Sequence, residues 1–114
     1  MTVPRLLLVD TDPALAVAVD ERPPDGGDAW ALVQAANDPA LVLRGVSVVH
    51  GNAPLPLATE SARQLQALGA LTCPVVPGAA VPLGRDPDPT AADWLADMLR
   101  ETPACIAALG PLTN

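Results

Sequence analysis

The chain has 114 residues, half of them hydrophobic, which is enough for one globular core and too few for two. Thirteen acidic residues against six basic ones give a formal charge of -7, which repels nucleic acid and anionic membrane surfaces and leaves cations or neutral solutes as partners. Every basic residue is Arg, and Phe and Tyr are absent, so chemistry that needs a Lys amine or a Tyr phenol is excluded.

Arg5 to Val9 is a continuous apolar run that predicts a strand covered on both faces, ended by the acids of "DTDP". Asp28 to Asn37, "DAWALVQAAN", predicts the first helix, with Asp28 as a cap or as a charge favoured by the positive helix start. Leu41 to Val49 predicts the second strand, closed by the turn "HGN". Pro56 to Leu68 predicts the second helix, its inner face drawn by Leu57, Ser61, Leu65 and Leu68 and its end marked by Gly69. A short buried strand is expected from Cys73. The loop "PLGRDPDP" leads to a third helix ending near Glu101, with Thr90 as cap in a Thr-x-x-Asp pattern completed by Asp93. Ala104 to Leu109 predicts a fourth strand, and "GPLTN" a turn.

Trp30 and Trp94 fall inside helical patterns and are expected in the core. Cys73 and Cys105 lie far apart without a C-x-x-C spacing and are expected to be buried, reduced thiols. With no signal-like segment and no apolar stretch of about 18 residues, a soluble cytoplasmic protein is expected, with no nucleic-acid or membrane partner. Homo-oligomer formation is left open.

Strand alternates with helix throughout, which predicts an α/β fold: an open, mainly parallel sheet flanked by helices in the Rossmann-like manner. A parallel strand needs helical cover and a crossover, so a chain ending at "GPLTN" is expected to be the N-terminal part of a larger domain. In such sheets ligands bind beyond the carboxyl ends of the strands. Asp10 and Asp12 follow strand one, His50 and Asn52 follow strand two, and "LGPLTN" follows strand four. Asp20, Glu21, Asp25 and Asp28 add carboxylates to the same edge. Close carboxylates repel unless a proton or cation intervenes, and an oxygen-only set suits calcium or magnesium. Alternative uses are turn capping by Asp10 and Asp12, a solvated loop at Asp25, a helix cap at Asp28 and a plain turn residue at His50.

Five pieces in order, "VDTDP", "DGGDAWAL", "GVSVVHGN", "CPVVPGAAVPL" and "ALGPLTN", resemble the N-terminal part of an inosine-uridine-preferring nucleoside hydrolase. The resemblance implies that residues 1–114 are the N-terminal part of one nucleoside hydrolase-like α/β domain. It implies hydrolysis of the N-glycosidic bond of a ribonucleoside to free base and ribose, with calcium as cofactor and a small-molecule nucleoside as substrate. Asp12 matches the acid that holds the metal and takes a proton from its bound water. Asp28 matches a second metal ligand, and Leu109 a position whose backbone carbonyl binds the metal. Asn52 matches a polar residue facing the sugar, and Asp10 an acid close to the site.

Two features depart from the compact family pattern D-x-D-P-G-x-D-D. The stretch "ALAVAVDERPP" separates "DTDP" from "DGGD", and Gly27 replaces the acid that holds the ribose hydroxyls, leaving Asp25 as the candidate substitute. The family's last metal ligand, leaving-group acid and most base contacts correspond to positions beyond Asn114. The 114-residue chain alone is therefore expected to bind calcium poorly and to catalyse little. The alternative function is a noncatalytic or degenerate nucleoside hydrolase-like binding module. A phosphoacceptor receiver domain fits less well because it needs a Lys, and a dinucleotide-binding fold because no G-x-G-x-x-G follows strand one.

Overall fold

The computed structural model describes residues 3–15 and 25–114. Strands and helices alternate: β1 (Arg5–Thr11), α1 (Gly27–Asn37), β2 (Leu41–Val48), α2 (Leu55–Ala67), β3 (Val75–Pro77), α3 (Thr90–Glu101) and β4 (Cys105–Ala108). Among the described residues the strands form one parallel sheet in the order β3-β2-β1-β4. The expected α/β architecture with an open parallel sheet is the observed one.

β1 and β2 form the centre. Their register steps between Leu7 and Leu8, where Leu7 opposes Leu43 and Leu8 opposes Gly45, so Arg44 is the extra residue of a bulge. Beyond it, Val9 and Val46 share one face and pack with Ala29 and Leu32 of α1 and with Ala58 and Leu65 of α2. The other face takes α3: a Cβ at Gly45 would overlap the Trp94 ring, so the missing side chain is what lets the indole lie on the strand.

The connection from β3 to β4 passes the β1–β2 centre, and the sheet reverses its strand order between β1 and β4. That reversal opens a crevice at the carboxyl ends of β1 and β4, the usual ligand position in this architecture.

Several expectations are corrected. β1 continues through Asp10 and Thr11, because parallel pairing with Ser47 and Val48 carries the backbone past the apolar run. The inner face of α2 is Ala58, Ser61, Ala62 and Leu65, whereas Leu57 and Leu68 are exposed. Gly69 does end this helix, with φ of +76°. Trp30 is 73% exposed, since α1 seats Ala29 and Leu32 on the sheet and turns the indole outward. Cys73 is buried but Cys105 is exposed, because β4 is an edge strand. Thr90 does not cap α3; its hydroxyl and amide both donate to the Asp88 carboxylate, at 2.6 and 2.9 Å. Asp28 does not cap α1 either, as Gly26 is the N-cap and Asp28 lies in the first turn. Asp20 and Glu21 lie outside the described residues. Among the described residues no helix is long and apolar enough to cross a membrane.

Candidate active site

Asp12 leaves the end of β1 at the crevice and is buried, 7% exposed. Its Oδ2 accepts the backbone N–H of Asn52 at 2.8 Å. Asp28 approaches from the first turn of α1, and its Oδ2 accepts the Thr11 hydroxyl at 2.6 Å and the Asp12 N–H at 3.2 Å. Two carboxylates 16 residues apart in sequence are thereby brought together at the end of one strand.

This proximity has an electrostatic consequence. Burial, then a hydrogen bond and charge from Asp28, push the Asp12 carboxyl up to about 6, against the opposing effect of the Asn52 N–H.

Two glycines make room for Asp12. At Gly51, where φ is +153°, a Cβ would meet the Asp12 carboxylate and Pro111. At Gly110 a Cβ would lie 3.2 Å from Asp12 Cγ and 2.8 Å from a Val49 methyl. The turns after β2 and β4 thus both close on Asp12, which explains why each contains a glycine. Leu109 precedes Gly110, and its N–H donates to the Asp10 carbonyl at 2.8 Å.

Asn52 is held on the side of the crevice facing α1, with its Nδ2 donating to the Asp25 carbonyl at 2.8 Å. The Asp25 carboxylate is exposed and folds back on its own turn, accepting the Gly27 N–H at 2.9 Å. Asp10 is buried and takes a different environment from Asp12: its Oδ1 accepts the Ser47 hydroxyl at 2.6 Å and the Asn114 amide at 2.9 Å. His50 faces the last turn, with Nε2 3.3 Å from the Thr113 hydroxyl.

The structure therefore brings Asp12, Asp28, Asn52 and the Leu109–Gly110 peptide to one crevice, and sets Asp25 at its rim. The roles of Thr11, Ser47, Gly51, Gly110 and Asn114 were not singled out from the sequence. Glycine in the turn after a predicted strand was the available signal for Gly51 and Gly110.

The donor chemistry here is oxygen only, and the mutual repulsion of Asp12 and Asp28 is what a hard divalent cation relieves. Among the described residues no group of three or more His, Cys, Asp or Glu side chains could hold a metal ion. Two carboxylates fit calcium in kind and supply part of the six to eight oxygens it takes, the remainder falling to carbonyls, water or substrate.

An open parallel sheet with Asp12 and Asp28 brought together at its strand-order reversal defines an α/β protein with a carboxylate pair at the sheet's switch point. The family model described as inosine-uridine preferring nucleoside hydrolase matches residues 7–114, and the chain belongs to that family. No curated protein matches it.

Proposed function

We propose that the protein hydrolyses the N-glycosidic bond of ribonucleosides to free base and ribose, with Asp12 as the proton acceptor and calcium as cofactor. The observation that carries this reading is the convergence of Asp12 and Asp28 at the crevice, held by Thr11 and the Asp12 N–H. Asp12, Asp28 and the Leu109 carbonyl would hold the calcium, which when bound acidifies a neighbouring water.

Asp12 takes a proton from the attacking water, whose oxygen bonds to the anomeric carbon as the bond to the base nitrogen breaks. The bonding pair leaves with the base nitrogen, which takes a proton from solvent, while Asp12 returns to solvent the proton it took from water, so one water is consumed overall. Positive charge builds on the ribose in such a cleavage, so the buried carboxylates lower its energy. Thr11 and the Asp12 N–H fix the Asp28 carboxylate, so it need not reorganise during the reaction. Asn52 would meet sugar hydroxyls through its amide oxygen and its second amide hydrogen, one N–H being committed to the Asp25 carbonyl. Asp25, at the rim, would add a second hydroxyl contact on releasing Gly27.

The experiment is calorimetric titration of calcium into the full-length protein, followed by nucleoside hydrolysis assays with inosine and uridine, each with Asp12→Asn as control. Calcium binding and base release that both disappear in the variant support the reading. A folded wild-type protein without calcium binding or base release overturns it. Gly27, in place of the ribose-holding acid, favours a second reading as a noncatalytic binding module, for which nucleoside binding without turnover is the expected result.

A further inference from the structure

We infer that Asp10 is a positioning residue that brackets the Leu109–Asn114 turn at both ends and so sets Gly110 and Leu109 against Asp12. The inference deepens the reading of the crevice as a calcium and nucleoside site, and rests on it for its functional meaning.

The geometry is specific. The Asp10 backbone carbonyl accepts the N–H of Leu109, the first residue of the turn, at 2.8 Å. Its side-chain Oδ1 accepts the amide of Asn114, five positions further along the chain than Leu109, at 2.9 Å. Between these anchors lies Gly110, where a Cβ would press on the Val49 side chain and Asp12. One buried residue therefore holds both ends of the segment that forms one wall of the crevice.

Asn114 extends the hold to the rest of the sheet. Its Nδ2 also donates to the Val48 carbonyl at 3.0 Å, and its Oδ1 accepts the Ala79 N–H at 2.8 Å. Gly78 is part of the same fit, since a Cβ there would collide with the Asn114 amide oxygen. A single side chain thus joins the ends of β1 and β2, the segment after β3 and the turn after β4. His50 against Thr113 adds a second attachment from the β2 side.

The bonding of Asp10 defines what its side chain must supply to hold the turn. Its Oδ1 already accepts two donors, Ser47 and Asn114, and both bonds need an acceptor oxygen at that point rather than a negative charge. Asn supplies such an oxygen in the same place, whereas Ala does not.

The test compares Asp10→Asn, Asp10→Ala, Asn114→Ala and the double Ala variant in the full-length protein. The readouts are calcium affinity by calorimetry and exchange of the Ala79 amide hydrogen. Asp10→Asn is expected to stay within about twofold of wild type on both, since the acceptor survives. Each Ala variant is expected to lose about tenfold or more in calcium affinity, as for other residues that orient a metal site, and to exchange faster at Ala79. The double variant should lose less than the two single losses combined, because the Asp10–Asn114 bond is counted in both, while each single keeps the other residue's separate bonds.

Equal loss of calcium affinity in Asp10→Asn and Asp10→Ala overturns the inference, since charge would then be the requirement. Unchanged Ala79 exchange in Asp10→Ala overturns it as well. Should Asp10→Ala fail to fold, Asn114→Ala and Asp10→Asn decide between the same outcomes. If wild type binds no calcium the proposed function fails, while amide exchange still decides whether Asp10 holds the turn.

Discussion

The hydroxyl of Thr11 donates to the Asp28 carboxylate at 2.6 Å, joining the last residue of β1 to the first turn of α1. This bond and the adjacent Asp12 N–H hold a negative charge beside a second, buried carboxylate. Replacing Thr11 by Val keeps the branched shape and removes the donor. The expected results are a loss of about 1 to 2 kcal/mol in stability and about tenfold in calcium affinity, measured by thermal melting and calorimetry. Unchanged calcium affinity would show that Asp28 is oriented by the Asp12 N–H alone.

The Asp12 carboxyl, pushed up to about 6 from 3.8, predicts a particular pH dependence. Its folded value lies above its unfolded value, so its stabilising contribution is full below about 4 and is lost as pH rises to about 6. In EDTA the wild type should therefore lose ground to Asp12→Asn across that interval. Calcium reverses the preference because it binds the ionised pair, so calcium affinity should fall as pH drops below about 6, with protons released on binding. Melting curves at a series of pH values, with calcium or EDTA, check both directions.

Gly51 tests the steric side of the same site. Ala at this position would direct a methyl at the Asp12 carboxylate and Pro111, on a backbone with φ of +153°. Gly51→Ala is expected to weaken calcium binding at least about tenfold and to cost about 1 to 3 kcal/mol of stability. Gly45→Ala is the control on the opposite face: its methyl would strike Trp94, far from the carboxylates in the fold, so stability should fall with calcium affinity per folded molecule retained.

The legibility of the fold followed its physics. Continuous apolar runs made β1 and β2 readable, and two acids directly after β1 made Asp12 readable as a site residue. The face of α1 was not readable, because "DAWALVQAA" is apolar on several sides and periodicity selects no single stripe; Trp30 ended outside. The exposure of Cys105 depends on β4 being an edge strand, which is a property of strand order rather than of "ACIAAL". Asn114 reaches Asp10 across 104 positions of sequence, so no local pattern announces its role. The Thr90–Asp93 pattern suggested a cap, but Asp88, two residues earlier, captured the Thr90 hydroxyl first.

Gly27 offers a gain-of-function test. The resemblance places an acid for the ribose hydroxyls at this position, next to Asp28 in the first turn of α1. A Cβ there would stand 3.1 Å from Asp25 Oδ1, the oxygen that now accepts the Gly27 N–H. The exposed Asp25 side chain can turn away, so Gly27→Asp is expected to fold, while the two carboxylates repel and favour that release. If the new acid binds ribose, KM for ribonucleosides should fall about tenfold or more, as a charged hydrogen bond to a hydroxyl is worth about 1.5 to 3 kcal/mol. The 2′-deoxy and 3′-deoxy analogues should gain less than the parent nucleoside, since each lacks one of the hydroxyls in question. Asp25→Ala in the wild type supplies the opposing arm: a rise in KM would show that Asp25 already holds the sugar, and no change would leave Gly27 as the position where that contact is missing.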